Sequence, residues 1–142
     1  MASARARLAV AVIGTSIYAI GGYDGNARSR TVERYDVTTD SWATVAPMRQ
    51  PRDYLGAAAV GGMVYAIGGF NGSDRLHAVE AYLPGKDVWV DVPRMQFPRD
   101  GLCVVGLDML AVGPGGGAAT VTSPDGSPTA PLPSPTKLST DV

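Results

Sequence analysis

The sequence is poor in the side chains that most often carry catalysis and bind metals. It has one cysteine, Cys103, and one histidine, His77, among 142 residues. One thiol cannot close an internal disulfide, and a Ser–His–acid or Cys–His arrangement would depend on His77, around which no motif spacing is found. A site of histidine and cysteine ligands would need more than one of each. We therefore predict that the protein is not an enzyme and has no metal site and no cofactor.

Charge and long apolar runs are also scarce. Charged residues make up 18% of the chain and the net charge is −1, so no strong field indicates a nucleic acid or an anionic membrane as partner. No apolar run approaches the ~20 residues of a membrane span, and no window keeps a 3.6-residue apolar pattern, so no helix is predicted. With 45% apolar residues and one thiol, the composition favours a folded cytoplasmic protein.

What the sequence has in abundance is a repeated pattern. The first copy reads YAIGGYDG (18–25) and VERYDVTTDSW (32–42), and the second reads YAIGGFNG (65–72) and VEAYLPGKDVW (79–89). Aligned without a gap, residues 5–48 and 52–95 agree at 18 of 44 positions. Such a period, here 47 residues, is typical of propellers, solenoids and arrays, whose binding surfaces are built by several repeats together.

Each copy is predicted to form four short strands joined by tight turns. The predicted strands are 8–13, 17–21, 31–36 and 42–46 in the first copy, and 55–60, 63–68, 77–83 and 88–92 in the second. Gly14-Thr15 and Gly61-Gly62 have the residue types of two-residue hairpin turns. The first strand of each copy is apolar throughout, which predicts burial on both of its faces.

A third copy begins and then decays. Pro98-Arg99-Asp100 repeats Pro51-Arg52-Asp53, and residues 102–107 and 109–113 are candidates for two further strands, with 119–122 a poor candidate for a third. The remaining segment, 123–142, is rich in proline, serine and threonine and is predicted to be disordered. Within it, 128–131 resembles a late-domain peptide and 140–142 a class I PDZ ligand, although motifs this short recur by chance.

The repeated residues resemble the kelch motif, and most closely the kelch repeats of BTB–kelch, or kelch-like, proteins. The marks are a double glycine, a tyrosine and a tryptophan in each copy: Gly21, Gly22, Tyr35 and Trp42, then Gly68, Gly69, Tyr82 and Trp89. The glycines permit unusual backbone angles and close approach, and the aromatic rings supply area for packing. The resemblance implies an all-β partial β-propeller with antiparallel four-stranded blades at 1–48 and 49–95 and a degenerate third repeat at 96–122.

The resemblance also implies a function, which is a non-catalytic protein–protein interaction module. Kelch-like proteins use such propellers for substrate recognition as adaptors of cullin-RING ubiquitin ligases, together with BTB and BACK domains that this sequence does not contain. Two alternatives stay open. The chain could be an actin- or cytoskeleton-associated structural kelch protein, or a truncated gene copy or isoform without independent function.

In kelch-like proteins the partner is bound by the loops between the second and third strands and by the loops between blades. The corresponding residues here are Tyr23, Asp24, Asn26, Arg28, Arg30, Arg49, Arg52, Tyr54, Phe70, Asn71, Ser73, Arg75 and His77. Arginine and aromatic side chains on loops suit an acidic peptide. For Asp24, Asn26 and Ser73 the alternative is a turn-forming role, and the recurrence of Arg52 as Arg99 suggests a scaffold role.

Two blades and a fraction leave sheet faces without neighbours. The apolar flanks around Trp42 and Trp89 would then be only partly covered, and exposed patches of this kind drive association. We therefore expect the isolated chain to be marginally stable and to associate with itself or with further kelch blades.

Overall fold

The computed structural model describes Met1 and residues 3–107, which contain eight β-strands and no helix. The strands are β1 (Ala9–Ile13), β2 (Ser16–Ile20), β3 (Val32–Asp36), β4 (Ser41–Val45), β5 (Gly56–Val60), β6 (Met63–Ile67), β7 (Val79–Leu83) and β8 (Val88–Val92). In this part of the chain no helix is long and apolar enough to cross a membrane.

The strands form two antiparallel sheets of four, with the orders β1-β2-β3-β4 and β5-β6-β7-β8. We call them blade 1 and blade 2. Their registers are equivalent, since Tyr35 pairs with Trp42 across β3 and β4, and Tyr82 pairs with Trp89 across β7 and β8. The prediction of an all-β fold with two four-stranded antiparallel blades is confirmed, and the predicted strand bounds lie within two residues of those observed.

The hydrophobic core lies between the two blades. On the blade 1 side it contains Ala9, Ala11, Tyr18, Ile20 and Val32, and on the blade 2 side Val64, Ala66, Tyr82 and Trp89, with Met48 and Leu55 from the connection. The rings of Tyr18 and Tyr82 meet edge to face across this boundary, with centroids 5.7 Å apart. Each blade is therefore stabilised mainly by its neighbour, as expected for a repeat architecture.

The outer face of blade 1 differs from the prediction that β1 is buried on both sides. Val10 and Val12 are 53% and 54% exposed, whereas Ala9 and Ala11 are buried. Successive side chains of a strand point to opposite faces of the sheet, and no described residue covers the face that carries Val10 and Val12. The equivalent residues of β5, Ala57 and Ala59, pack against the core between the blades.

The start of the third copy lies against blade 2 but does not form the strand predicted over 102–107. A Cβ atom built on Gly56 would come 2.4 Å from Cγ2 of Val104, so this segment runs directly over β5. Its entry is fixed by the backbone N–H of Gly101, which donates to Tyr54 O at 2.9 Å. The predicted strands at 109–113 and 119–122, the Pro/Ser/Thr-rich segment and its two short motifs lie outside the described residues.

Each double glycine lies where the backbone that ends the second strand of a repeat passes close to the backbone that leads into the next repeat. A Cβ atom on Gly21 would lie 2.5 Å from Arg52 O, and one on Gly68 would lie 2.5 Å from Arg99 O. Both glycines also have positive φ angles, 63° and 58°. Because the second backbone belongs to the connection that leads into the next repeat, a side chain here would push consecutive repeats apart.

A buried ion pair lies beneath the loop between the second and third strands of each blade. In blade 2 the guanidinium of Arg52 donates to Glu80 Oε1 at 2.6 Å and to the carbonyl oxygens of Gly68 and Ala78 at 2.9 and 2.8 Å. The two side chains are 0% and 1% exposed. In blade 1 Arg5 makes the equivalent contacts with Glu33 and with the carbonyls of Gly21 and Thr31. The arginine that recurs before each first strand therefore joins the two ends of one loop, which is the β2–β3 loop for Arg5 and the β6–β7 loop for Arg52.

The backbone of Ala46, at the end of blade 1, is held by two side chains of blade 2. Oδ1 of Asp87 accepts the Ala46 N–H at 2.8 Å, and Nε1 of Trp89 donates to Ala46 O at 2.8 Å. The same Asp87 oxygen accepts the hydroxyl of Tyr82 at 2.7 Å. The Ala46 N–H, followed by the Tyr82 hydroxyl, lowers the pKa of Asp87 below its ordinary value of 3.8.

We predict that Asp87→Gly lowers the thermal midpoint more than Asp40→Gly. Both residues have a φ of 50° and accept a tyrosine hydroxyl, but Asp87 also joins the blades. A carboxylate with a lowered folded-state pKa stabilises the fold above its unfolded pKa, and this contribution is lost as the pH falls through the folded pKa. The difference between Asp87→Gly and wild type should therefore shrink below pH 3.8. Thermal melts at pH 7 and pH 3 test this, and equal effects of the two substitutions would contradict it.

Candidate partner-binding surface

The β2–β3 loop, the β4–β5 connection, the β6–β7 loop and the segment before β1 lie at one end of the two blades, which we call the loop end. The bridges Ala6–Tyr23 and Tyr23–Arg28 join these segments in blade 1, and Asp53–Phe70 and Phe70–Arg75 join them in blade 2. The two blades meet here because Tyr54 N donates to Arg7 O at 3.0 Å. The loop residues predicted to bind a partner are thus presented at a common end.

Arginine and aromatic side chains alternate across the middle of the loop end. The guanidinium carbon of Arg7 lies 4.9 Å from the ring centroid of Tyr54 and 5.4 Å from that of Tyr23. That of Arg28 lies 5.6 Å from the Tyr23 centroid and 4.7 Å from the Phe70 centroid. We call this sequence of five side chains, from Tyr54 to Phe70, the arginine–aromatic row. Contacts of this kind hold flexible arginine side chains in defined positions.

A buried carboxylate anchors the row from below. Asp53 is fully buried, and its Oδ1 lies 3.0 Å from Arg28 Nε while its Oδ2 lies 3.5 Å from an Arg7 terminal nitrogen. Oδ2 has no hydrogen bond, so Asp53 is not saturated by its two ion pairs. Because one carboxylate faces two guanidinium groups, the row keeps an excess of one positive charge at the surface. Arg7 and Arg28 are 41% and 27% exposed and stay accessible to a partner.

The backbone at the Tyr54 end of the row is unusual. Arg7 and Tyr54 occupy the same position of the repeat, and their φ angles are 59° and 51°. Their counterpart in the third copy is Gly101, with a φ of 64°. Side chains seldom adopt this left-handed conformation, and residues held in it cluster at functional sites. This conformation directs the chain from Arg7 into β1 and from Tyr54 into β5. The side chains of Arg7 and Tyr54 remain in the row, where they contact each other.

A cleft of 350 Å³ opens beside the row, lined by residues 4–7 and 23–25. Within it the hydroxyl of Tyr23 donates to Gly25 O at 2.9 Å, which fixes one wall. Asp24 forms the turn beyond, and its Oδ1 accepts the backbone N–H groups of Ala27 and Asn26, which lower its pKa. The cleft is large enough for a side chain of a bound peptide.

The other predicted contact residues surround the row or lie beneath it. Asn71 forms the same turn in blade 2 as Asp24 in blade 1, by accepting the N–H groups of Ser73 and Asp74 at 2.8 Å. Asn26, Arg30 and Ser73 are exposed at the margin. Three further residues are engaged at the outer rim: Arg49 with Asp91 at 2.7 Å, Arg75 with Asp100 at 2.9 Å, and His77 with Arg94 at 3.1 Å.

Arg52 does not lie on the surface with the others. Its side chain is fully buried and paired with Glu80, so its placement among the contact residues disagrees with the structure. The physical reason is its position beneath the β6–β7 loop, where it donates to the carbonyl groups of Gly68 and Ala78. The alternative suggested by its recurrence as Arg99, a scaffold role, describes Arg52 in this structure.

Sequence reasoning did not select Arg7, and it placed Asp53 among the exposed residues of the inter-blade loop, whereas the structure buries it beneath the arginines. The pairing of Asp53 with Arg28 could have been predicted from the repeat. Asp53 and Asp100 recur one period apart, as do Arg28 and Arg75. The structure pairs Arg28 with Asp53 and Arg75 with Asp100. Arg7 carried no such signal, because tyrosine and glycine occupy its position in the other copies.

The described residues contain no group of three or more histidine, cysteine, aspartate and glutamate side chains able to hold a metal ion. The arrangement at the loop end instead offers guanidinium groups for charge-assisted hydrogen bonds and ring faces for stacking. Both are features of protein recognition surfaces, in which arginine, tyrosine and tryptophan provide most of the anchoring contacts.

Comparison with known proteins agrees with the repeat and the fold. The kelch motif matches twice, at residues 4–49 and 51–96, which together cover more than half of the chain. A mouse protein named influenza virus NS1A-binding protein homolog is 46% identical over 52 residues, which is 37% of this chain and 8% of that protein. Mouse Kelch-like protein 35 is 50% identical over 32 residues, which is 22% of this chain and 6% of that protein.

The chain therefore spans less than a tenth of the length of these relatives. The double glycines, the Tyr–Trp pairs and the two equivalent blades account for the match in physical terms. By its sequence and its fold, the chain belongs to the family of kelch-repeat proteins.

Proposed function

We propose that the chain is a non-catalytic, cytoplasmic protein-interaction module whose loop end binds an acidic segment of a partner protein. The observation that carries this proposal is the arginine–aromatic row above the buried Asp53. Two guanidinium groups are held there by rings and by one carboxylate, with positive charge in excess. A partner that binds prepositioned side chains loses less conformational entropy in ordering them.

The distribution of charge favours an acidic partner over a basic one. At the loop end and its rim, arginines outnumber acids: exposed Arg7, Arg30, Arg49, Arg75, Arg94 and Arg99 and half-buried Arg28 stand against exposed Asp24, Asp74 and Asp91, half-buried Asp100 and buried Asp53. Arg49 and Arg75 are paired there with Asp91 and Asp100. The turns at the opposite end of the blades carry Asp36, Asp40 and Asp87 against one basic residue, Lys86. Arginine is well suited to the proposed contact because its planar fork can bind a carboxylate through two parallel hydrogen bonds.

The relatives support a protein partner as the class of ligand. One carries the name of a protein that binds influenza virus NS1A, and another is named as a kelch-like protein. By likeness to such proteins, we propose that the loop end selects substrates in the manner of the propellers of cullin-RING ubiquitin ligase adaptors. Any adaptor activity would require ligase-binding elements beyond the two blades described.

Arg7→Ala is expected to weaken binding of an acidic probe peptide about tenfold, which corresponds to ~1.4 kcal/mol. The probe is a fluorescein-labelled dodecapeptide rich in glutamate and aspartate, measured by anisotropy, with a lysine-rich peptide of equal length as its counterpart. Arg7→Lys should retain part of the affinity by keeping the charge without the fork. Lys86→Ala, at the opposite end of the blades, is the matched control and should change nothing.

Arg28→Ala is a less clean probe of binding than the sequence suggested. Arg28 and Arg75 occupy the same position of the repeat, so the sequence alone predicts that Arg28→Ala and Arg75→Ala both weaken binding with no loss of stability. In the structure Arg28 pairs with the fully buried Asp53, and removing one member of such a pair destabilises a fold. Arg75 is 68% exposed, so Arg75→Ala should leave folding intact. If Arg7→Ala binds the acidic peptide as well as wild type does, or if both peptides bind equally, the proposed function is wrong.

A further inference from the structure

Asn71 and Gly72 lie at the Phe70 end of the arginine–aromatic row, in the turn of the β6–β7 loop. The bridge between Phe70 and Arg75 closes this turn, and Asn71 N donates to Asp74 O at 3.1 Å within it. Asn71 is half-buried and Gly72 is exposed, so water reaches the pair. An asparagine followed by glycine can lose ammonia without an enzyme, because the backbone nitrogen of the glycine can attack the side-chain amide.

The carbonyl oxygen of the Asn71 side chain is already held by hydrogen-bond donors. Oδ1 accepts the backbone N–H groups of Ser73 and Asp74, both at 2.8 Å. When a nucleophile attacks Cγ, negative charge develops on this oxygen, and backbone N–H groups aimed at such an oxygen stabilise the charge. Among the described residues, no hydrogen bond engages Nδ2 of Asn71 or the N–H of Gly72. The attacking nitrogen and the leaving nitrogen are therefore not restrained by hydrogen bonds.

The chain has a second asparagine, Asn26, that lacks these features. Asn26 is exposed at the same end of the blades, but Ala27 follows it instead of a glycine. No backbone N–H of the described residues donates to its side chain. Gly72, by contrast, has no Cβ atom beside its nitrogen, and its φ of 112° lies in a region that other residues rarely adopt. Asn26 is thus an internal comparison with at least the same access to water.

We propose that Asn71 is a site of deamidation, in which the Gly72 nitrogen closes a succinimide ring and water opens it to aspartate or isoaspartate. In the first step the Gly72 nitrogen gives up its proton and bonds to Cγ of Asn71, and the Cγ–Nδ2 bond breaks, so that ammonia leaves with that proton. In the second step water adds to one of the two ring carbonyls and the bond from that carbon to nitrogen breaks. Cleavage at Cγ gives aspartate, and cleavage at the backbone carbonyl carbon gives isoaspartate. Either product adds one negative charge.

Blade 1 shows that this turn accepts an aspartate. Asp24 occupies the position of Asn71, and its Oδ1 accepts the N–H groups of Ala27 and Asn26 at 2.7 and 2.8 Å. The same two N–H groups lower the pKa of Asp24, so its carboxylate is ionised at neutral pH. Aspartate at position 71 should be held in the same way, which changes the charge of the turn and keeps its shape. Isoaspartate lengthens the backbone by one carbon and should also loosen the turn.

The added charge would lie beside Arg28. A Cβ atom built on Gly72 would come 3.3 Å from a terminal nitrogen of Arg28, and the Phe70 ring centroid lies 4.7 Å from its guanidinium carbon. The residues on both sides of Asn71 thus contact this arginine. The row has an excess of one positive charge over Asp53, and a carboxylate at position 71 would remove that excess. If the loop end has the function proposed above, on which this consequence rests, deamidation weakens the binding of an acidic segment.

The reaction itself is followed by peptide mass spectrometry of the folded chain after incubation at pH 7 and at pH 8. We expect Asn71 to deamidate at least about tenfold faster than Asn26, and faster at pH 8 because the attacking nitrogen must lose its proton. Asp24→Asn places an asparagine before Gly25 in the equivalent turn, and that position should react as Asn71 does. Equal rates at Asn71 and Asn26, or reaction at Asn71 only after urea unfolds the chain, would overturn the proposed site. An Asp24→Asn position as slow as Asn26 would do the same.

The consequence for binding is measured with the acidic dodecapeptide and two variants that differ by one charge, Asn71→Asp and Asn71→Ser. Serine can also accept the N–H groups of the turn. Asn71→Asp should bind about two- to fivefold more weakly than Asn71→Ser, the usual range for one exposed charge. Thr39→Asp adds the same charge at an exposed position of the opposite end and should leave binding unchanged.

The two proposals fail in different ways. Equal binding by Asn71→Asp and Asn71→Ser, while the wild type prefers the acidic peptide, would show that deamidation does not control the row. Failure of the wild type to prefer the acidic over the lysine-rich peptide would contradict the proposed function. The rates at Asn71 and Asn26 would still decide whether the site deamidates.

Discussion

Replacing Arg52 with methionine is expected to lower the free energy of unfolding by ~3–5 kcal/mol, the usual cost of removing one partner of a buried ion pair. Glu80 would keep its charge at 1% exposure without its cation. The carbonyl groups of Gly68 and Ala78 would also lose a donor. Small domains are stable by only about 5–15 kcal/mol, and two blades are expected at the low end of that range, so a loss of this size should remove most of the stability.

Urea denaturation followed by circular dichroism measures this loss. Arg49→Ala is the matched control, since Arg49 and Asp91 form an ion pair with both side chains at least 60% exposed, and exposed pairs contribute ~1 kcal/mol or less. The double variant Arg52→Met/Glu80→Leu should recover part of the stability by removing the unpaired carboxylate. If Arg52→Met proves as mild as Arg49→Ala, Arg52 is not the structural tie described above.

The second large effect is expected from two tryptophans that occupy the same position of the repeat. Trp89→Ala should cost ~3–5 kcal/mol, because it leaves a cavity between the blades and removes the hydrogen bond to Ala46. Trp42→Ala should cost roughly 1 kcal/mol or less, as is usual for a residue outside the core. The two substitutions are chemically identical, so the difference between their unfolding free energies reports the packing of one blade on the next. Similar losses for both would show that the blades fold independently of each other.

Much of the fold could be predicted because the repeat encodes it twice. The gapless alignment predicts four strands in each copy, and the glycine turns and the Tyr–Trp pairs indicate where those strands begin and end. Burial could not be predicted in the same way. Val10 and Ala57 occupy the same position, yet Val10 is exposed and Ala57 is packed against the core. A repeat determines which face a side chain occupies, but the neighbour on that face determines whether it is buried.

The environment of a side chain in the candidate site was also not predictable from its position in the repeat. Arg28 and Arg75 are equivalent in sequence, but Arg28 lies between Tyr23 and Phe70 whereas Arg75 is mostly exposed beside Asp100. Arg7 belongs to the row through contacts with residues far along the chain, including Tyr54 in the next blade. Contacts between successive blades are not visible in the sequence of either blade alone, and two of the four contacts in the row are of this kind.

The proposed binding surface is tested most directly by an NMR titration of the isotope-labelled chain with the acidic dodecapeptide. The backbone amides of residues 5–7, 23–30, 52–54 and 70–75 are predicted to shift together, with the side-chain signals of Arg7 and Arg28. The lysine-rich peptide should leave them unchanged. Shifts confined to the turns at 37–40 and 84–87, or to the exposed face of blade 1 that carries Val10 and Val12, or equal responses to both peptides, would contradict the assignment of partner binding to the arginine–aromatic row.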